Sequence, residues 1–218
     1  MENRVRTELP DTVILVHGLW MTGLELILLG RRLRRCGFQV RYCRYRSWRG
    51  TLNEAASGLG QLAGESAGKR VHFVGHSLGG IVIARMLELH PPVHRGKVAL
   101  LGSPMRGSAL VAALSRCRIG RFVLGRVIGE ALVGKTPVWS RSRELLVIAG
   151  TLPLGFGALF GVPSPHDGTI AETETVVEGA ESTRVRTSHM GMVISPKVAK
   201  ILCNFFRDDE CGVSGGRE

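Results

Sequence analysis

Phe73-Val74-Gly75-His76-Ser77-Leu78-Gly79-Gly80-Ile81 is the stretch on which the reading of this chain turns. It holds a G-x-S-x-G pattern, led in by the strand-like stretch Arg70 to Val74 and followed by the largely apolar stretch Ile81 to Leu89. The first reads as a buried strand and the second as a helix stopped by Pro91-Pro92. A serine placed between them sits on a tight turn whose strained backbone lifts Oγ clear of the sheet. Gly75 and Gly79 are required because a Cβ at either place would collide with neighbouring backbone. The helix that follows aims free N–H groups and its positive dipole end at a negative charge forming beside that serine. Short glycine patterns arise by chance in a chain with 29 Gly. The flanking strand and helix separate this one from chance.

Outward from the turn, short β-branched runs alternate with helix-like stretches, the pattern of a parallel α/β sheet. Strands are expected at Thr12 to Val16, Phe38 to Tyr45, Arg70 to Val74, Lys97 to Leu101, Leu145 to Ala149 and Thr183 to Thr187. Helices are expected over Leu24 to Arg35, Leu52 to Ala67, Ile81 to Leu89, Ala109 to Leu132 and Pro196 to Phe206. No repeat or domain boundary is visible, so residues 1–218 read as one domain. Residues 1–11 form an N-terminal extension to it, and residues 208–218 a polar tail.

Two further stretches join the serine turn. Val16-His17-Gly18-Leu19-Trp20 ends the first strand, and Leu101-Gly102-Ser103-Pro104-Met105-Arg106-Gly107-Ser108 follows the fourth. Together the three resemble the α/β-hydrolase fold, and more closely the lipase-like bacterial serine esterases, over roughly Val13 to Phe206. The resemblance implies a mostly parallel sheet of about six strands with helices on both faces. It also implies Ser77 as nucleophile, with the backbone N–H groups of Leu19 and Leu78 as the oxyanion hole. His17 then orders the loop rather than acting as a base.

In that fold the acid and the base follow the serine in chain order. Of seven histidines, His189 lies directly after the last expected strand and before the last helix, where a loop reaches the serine turn. His166 reads as an exposed loop residue, and His90 and His94 as solvated. The chain has only four aspartates, at positions 11, 167, 208 and 209. Asp167 alone lies between Ser77 and His189, with Glu144, Glu172 and Glu174 as weaker substitutes. Trp20, Met21, His76, Phe156 and Phe160 are candidates to line an apolar acyl site. Segment Ser108 to Gly134 reads as a sheet-covering helix or a short, glycine-loosened cover. The lid is therefore minimal or absent, which weighs against long triglycerides.

The implied activity is hydrolysis of carboxylic esters, with a small-molecule or lipid ester as substrate and no cofactor or metal. Acyl transfer or thioester cleavage would use the same residues. A reading of another class is a non-catalytic membrane-surface or nucleic-acid module on a hydrolase fold. The charge bears on that alternative. Lys plus Arg is 29 against 18 acids, a net +11, and eight arginines fall between Arg31 and Arg49 with no acid among them. No aromatic pattern of a nucleic-acid fold accompanies them, so nucleic acid is not expected. Peripheral contact with an anionic membrane surface is. Oligomeric state is left open.

Gly58 to Ala63 matches a dinucleotide fingerprint formally, but follows no strand and is rejected. The five cysteines, at 36, 43, 117, 203 and 211, form no C-x-x-C and read as free thiols of a reducing compartment. With no apolar leader in residues 1–10, the expectation is a cytoplasmic protein.

Overall fold

A computed structural model describes residues 10–66, 70–90, 95–132, 139 and 143–207. The expectations for His94, residues 1–9 and tail 208–218 lie outside them. Six strands form one sheet: β1 (Thr12–Val16), β2 (Gln39–Cys43), β3 (Val71–His76), β4 (Val98–Leu101), β5 (Leu145–Gly150) and β6 (Glu181–Val185). Their order is β2-β1-β3-β4-β5-β6, and every pairing is parallel. The reversal of strand order falls between β1 and β3, where an open α/β sheet leaves a crevice at its carboxyl end.

Both faces are covered, and the two-residue period of a strand decides which side chain goes where. Ile14, Val16, Phe73, Leu100 and Val147 pack with α2 (Leu52–Gly64), α3 (Leu78–Leu89) and the inner residues of α5 (Arg118–Leu132). Val13, Leu15, Val74, Leu101 and Ile148 pack on the other side with α1 (Ile27–Arg35) and α8 (Pro196–Arg207). Because β1, β4 and β5 are buried on both faces, they read as near-continuous apolar runs; β3, equally buried, carries His72 and His76 among its apolar residues, and the expected strands match closely. The edge strand β6 is Glu-Ser-Thr-Arg-Val and mostly exposed, so it starts two residues before the expected position. Three short helices were not expected: α6 (Glu172–Thr175), α7 (Gly191–Ile194) and a 3-10 turn at Gly157–Phe160.

The long expected helix over Ala109 to Leu132 is two helices. α4 (Ala109–Leu114) opens with the Ser108 hydroxyl accepting from the Val111 N–H, and α5 follows after a short turn. α5 is itself broken at Gly125, whose φ of 71° leaves the helical region. The Arg126 N–H therefore bonds to the Trp48 carbonyl instead of Phe122 four residues back. The Trp48 indole N–H fills the gap by donating to the Phe122 carbonyl at 2.9 Å. A Cβ on Gly125 would lie 2.2 Å from Trp48 Cδ1, so this glycine serves a tight contact rather than a loose hinge. Beyond the kink, Val127 and Ala131 are fully buried, while Ile119 and Phe122 before it are 77% and 70% exposed. The segment thus covers the sheet with one half and projects the other half into solvent.

One cysteine expectation is corrected. Cys36, at the end of α1, and Cys203, in α8, form a disulfide with Cα atoms 6.2 Å apart. The 167 residues between them hide the pairing in the sequence, but α1 and α8 pack side by side on one face of the sheet. Cys43 and Cys117 are free, the first buried. The disulfide removes the free-thiol ground for a reducing compartment. Among the described residues, no helix is long and apolar enough to cross a membrane.

Candidate active site

Ser77 joins β3 to α3 with φ 54° and ψ −124°, a positive φ that a residue with a side chain rarely holds. The turn survives because its neighbours have no side chains. A Cβ on Gly75 would fall 2.6 Å from the Gly80 Cα, and one on Gly79 would fall 2.2 Å from the Val16 carbonyl oxygen. The Ser77 N–H donates to the Leu101 carbonyl at 2.9 Å, which ties the turn to the end of β4.

Asp167 and His189 come from two different loops and meet in the interior. The His189 Nδ1–H donates to Asp167 Oδ2 at 2.6 Å, and the two side chains are 9% and 1% exposed. The other carboxylate oxygen, Oδ1, accepts from the Thr169 N–H at 2.9 Å and the Ile170 N–H at 2.8 Å. Three donors therefore hold this buried charge in one orientation. The His189 N–H donates to the Asp167 carbonyl at 2.8 Å, a second tie between the same two residues. Gly102, directly after β4 with φ 54°, completes the wall: a Cβ there would lie 2.9 Å from Asp167 Oδ2 and 3.1 Å from His189 Nδ1.

His76 does not face a substrate as expected. Its side chain is fully buried, and its Nε2–H donates to the His189 carbonyl at 3.0 Å, with ring centroids 4.7 Å apart. Burial first, and the neighbouring His189 second, push its pKa down to about 3, so the ring is neutral. The β3 alternation shows only that His76 points away from Ser77; its grip on His189 depends on a loop 113 residues later.

The loop after β1 closes the other side. Gly18 packs against the serine turn, since a Cβ on it would lie 3.0 Å from Ser77 Cβ and 3.3 Å from Met21 Sδ. His17 is buried, donates from Nδ1 to the Gly18 carbonyl at 2.9 Å, and stacks on Tyr45 at 4.4 Å. The Tyr45 hydroxyl donates to the His17 carbonyl at 2.8 Å. Burial lowers the His17 pKa against the smaller opposing pulls of that carbonyl and Glu25. His17 therefore braces the loop. Among the described residues, neither Leu19 nor Leu78, the latter directly after Ser77, donates its N–H to a protein acceptor. Trp20 holds φ 57° and its indole N–H donates to the Val123 carbonyl of α5 at 3.0 Å.

The remaining sequence expectations separate. His166 is buried rather than exposed, because its Nδ1 accepts from the Gly168 N–H and the cluster Gly155, Gly157 and Gly168 closes over it. Glu144 pairs with Lys97, Glu172 with Arg184, and Glu174 accepts from the Ala109 and Ala171 N–H groups. Those three carboxylates are thus engaged away from His189. Phe156 is 73% exposed and Phe160 40%, so both lie on the surface near the Asp167 loop instead of enclosing a chain. A cavity of about 460 Å³ lies at the side of the sheet, between the end of β2 and α2, apart from Ser77 and His189.

The sequence description of the alpha/beta hydrolase family matches residues 13–192. No curated protein matches the chain. Among solved structures, the chain is similar to the metagenomic carboxyl esterase MGS0156, with TM-score 0.66 and 13% identity, over 93% of this chain and 76% of that one. It is similar to the ydeN gene product from B. subtilis at TM-score 0.62 and 16% identity, over 90% and 98% of the two chains. It is also similar to Est816, an N-acyl homoserine lactone degrading enzyme, at TM-score 0.62 and 16% identity, over 91% and 94%. At such identities the likeness speaks for the fold. With the matched family covering β1 through the loop after β6, this chain belongs to the alpha/beta hydrolase family.

Proposed function

We propose that this hydrolase cleaves carboxylic esters through Ser77, His189 and Asp167. The reading is supported by the buried Asp167–His189 pair at 2.6 Å, together with a serine held at positive φ on a strand-to-helix turn. With Nδ1–H bound to the carboxylate, His189 presents Nε2 as its proton acceptor. His189 takes the proton of Ser77 as Oγ attacks the ester carbonyl carbon. The Leu19 and Leu78 amides stabilise the oxyanion, and donors of this kind are worth roughly 10²–10³ each in rate. The alcohol leaves with the proton from His189, and water then releases the acid from the acyl-enzyme by the same steps.

The exposure of Phe156 and Phe160 supports short or medium acyl groups, because neither ring walls a deep tunnel. Turnover of p-nitrophenyl esters of graded acyl length tests this. The expected result is hydrolysis that is fastest for short chains and fades as the chain lengthens. No turnover at any length overturns the esterase reading, and turnover that appears only with an added alcohol or amine acceptor points to acyl transfer.

A further inference from the structure

The half of α5 before the Gly125 kink packs inward through Leu124 and turns its other face to solvent. Ile119 and Phe122 stand out at 77% and 70% exposure, and Trp20, tied to the same helix through Val123, is 60% exposed. A cluster of large apolar side chains beside a catalytic mouth is costly to leave in water and marks a docking surface. Its charge setting selects the partner. Arg116, Arg118 and Arg121 lie on the same turn and helix, and Arg49 lies over the Trp48 ring, which packs edge-to-face with Phe122 at a centroid separation of 5.3 Å. None of these four forms an ion pair among the described residues. No acid occurs between Gly107 and Gly129.

We propose that this face docks on an anionic lipid surface. Ile119, Phe122 and Trp20 enter the headgroup boundary and the arginines meet the lipid phosphates, as for a helix lying in an interface. The face shares Arg49 with the Arg31 to Arg49 run from which membrane contact is expected. Three of the run's eight arginines make intramolecular polar contacts: Arg32 reaches the Ile194 carbonyl, Arg34 binds Tyr42 and Val40, and Arg41 binds Leu62, Ser66 and Glu65. Aliphatic Ile119 at the most exposed point favours lipid over a nucleic-acid backbone, which offers charge but nowhere to bury it.

The test is co-sedimentation of the full chain with vesicles of phosphatidylcholine alone, and of phosphatidylcholine and phosphatidylglycerol in equal parts. Binding is expected to the mixed vesicles and to weaken with salt. At about fivefold per arginine, the combined variant Arg116→Gln, Arg118→Gln, Arg121→Gln is expected to lose about a hundredfold in partition. Ile119→Ser is expected to weaken binding to the mixed vesicles while leaving solution turnover of a short ester unchanged. Its high exposure keeps the fold intact, which a thermal melt checks. The proposal is overturned by failure to bind the mixed vesicles, by equal binding to phosphatidylcholine alone, or by binding that survives both variants. Heparin binding that Ile119→Ser leaves unchanged, or a dimer that Ile119→Ser dissociates, would assign the face to another partner and equally overturn it.

Discussion

Asp167→Asn tests the core of the site with the least disturbance of the fold. The amide is nearly the same size as the carboxylate, and the site is buried, so packing is preserved. Its hydrogen bonding is not. If the amide oxygen keeps the Thr169 and Ile170 N–H groups, the NH₂ faces His189 Nδ1, which must then give up its hydrogen. The proton moves to Nε2, the nitrogen that in the proposed mechanism accepts from Ser77. If the amide is turned over, its NH₂ confronts two backbone donors and a buried site is left mismatched. The first arrangement is the better one and the catalytically wrong one. A wrong tautomer in a triad of this kind costs about 10⁴ in kcat, equivalent to about 5.5 kcal/mol at about 1.36 kcal/mol per decade. Steady-state kinetics on a short p-nitrophenyl ester read kcat and KM separately, and the loss is expected in kcat. A thermal midpoint within a few degrees of the wild type shows that the fold is retained. A fall in kcat of less than tenfold with the fold intact would refute the reasoning.

Other perturbations have expected outcomes of their own. His76→Leu removes the donor to the His189 carbonyl while leaving Ser77, His189 and Asp167, the proposed catalytic residues, in place. It is expected to lower kcat about tenfold to a hundredfold with little change in KM, and His76→Gln, which keeps a donor, recovers part of the loss. An unchanged kcat in His76→Leu denies it a positioning role. Burial holds His72 at about 4 and His76 at about 3, against an ordinary 6.5. Between pH 6.5 and about 4 the unfolded chain binds these protons and the folded chain does not. Stability therefore falls as pH is lowered through that window, by up to about 1.4 kcal/mol per pH unit for each histidine. Denaturant midpoints measured across the window check this, and a flat profile contradicts it. Closing a loop across 167 residues is worth roughly 5 kcal/mol in the unfolded chain. Cys36→Ser or a reductant is thus expected to lower the thermal midpoint by roughly 10–20 °C, and a shift of a degree or two means that the disulfide adds little.

Much of the central sheet was legible because burial on both faces writes itself as apolar runs. β1 is legible in Thr12-Val-Ile-Leu-Val16 and β3 in Arg70 to Val74. The serine turn was legible because sterics at Gly75 and Gly79 permit few alternatives. The pairing of Asp167 with His189 was reached by chain order and the scarcity of aspartate. Where tertiary contact decides, the sequence was silent. The Cys36–Cys203 bond depends on how two helices pack on one face of the sheet, and His76 on where a distant loop lands. The break in α5 depends on Trp48 meeting Gly125, which leaves an unbroken amphipathic pattern in the residues themselves. His166 looked like a loop-tip residue and is buried by the glycines that fold around it.

The central claim is that Ser77 is the nucleophile. Treatment of the intact protein with a fluorophosphonate, followed by mass spectrometry of its peptides, tests it most directly. One phosphonyl group is expected on the peptide containing Ser77 in the wild type, and none in Ser77→Ala. Labelling retained in Ser77→Ala, or a label found on any other residue of the wild type, would contradict the account.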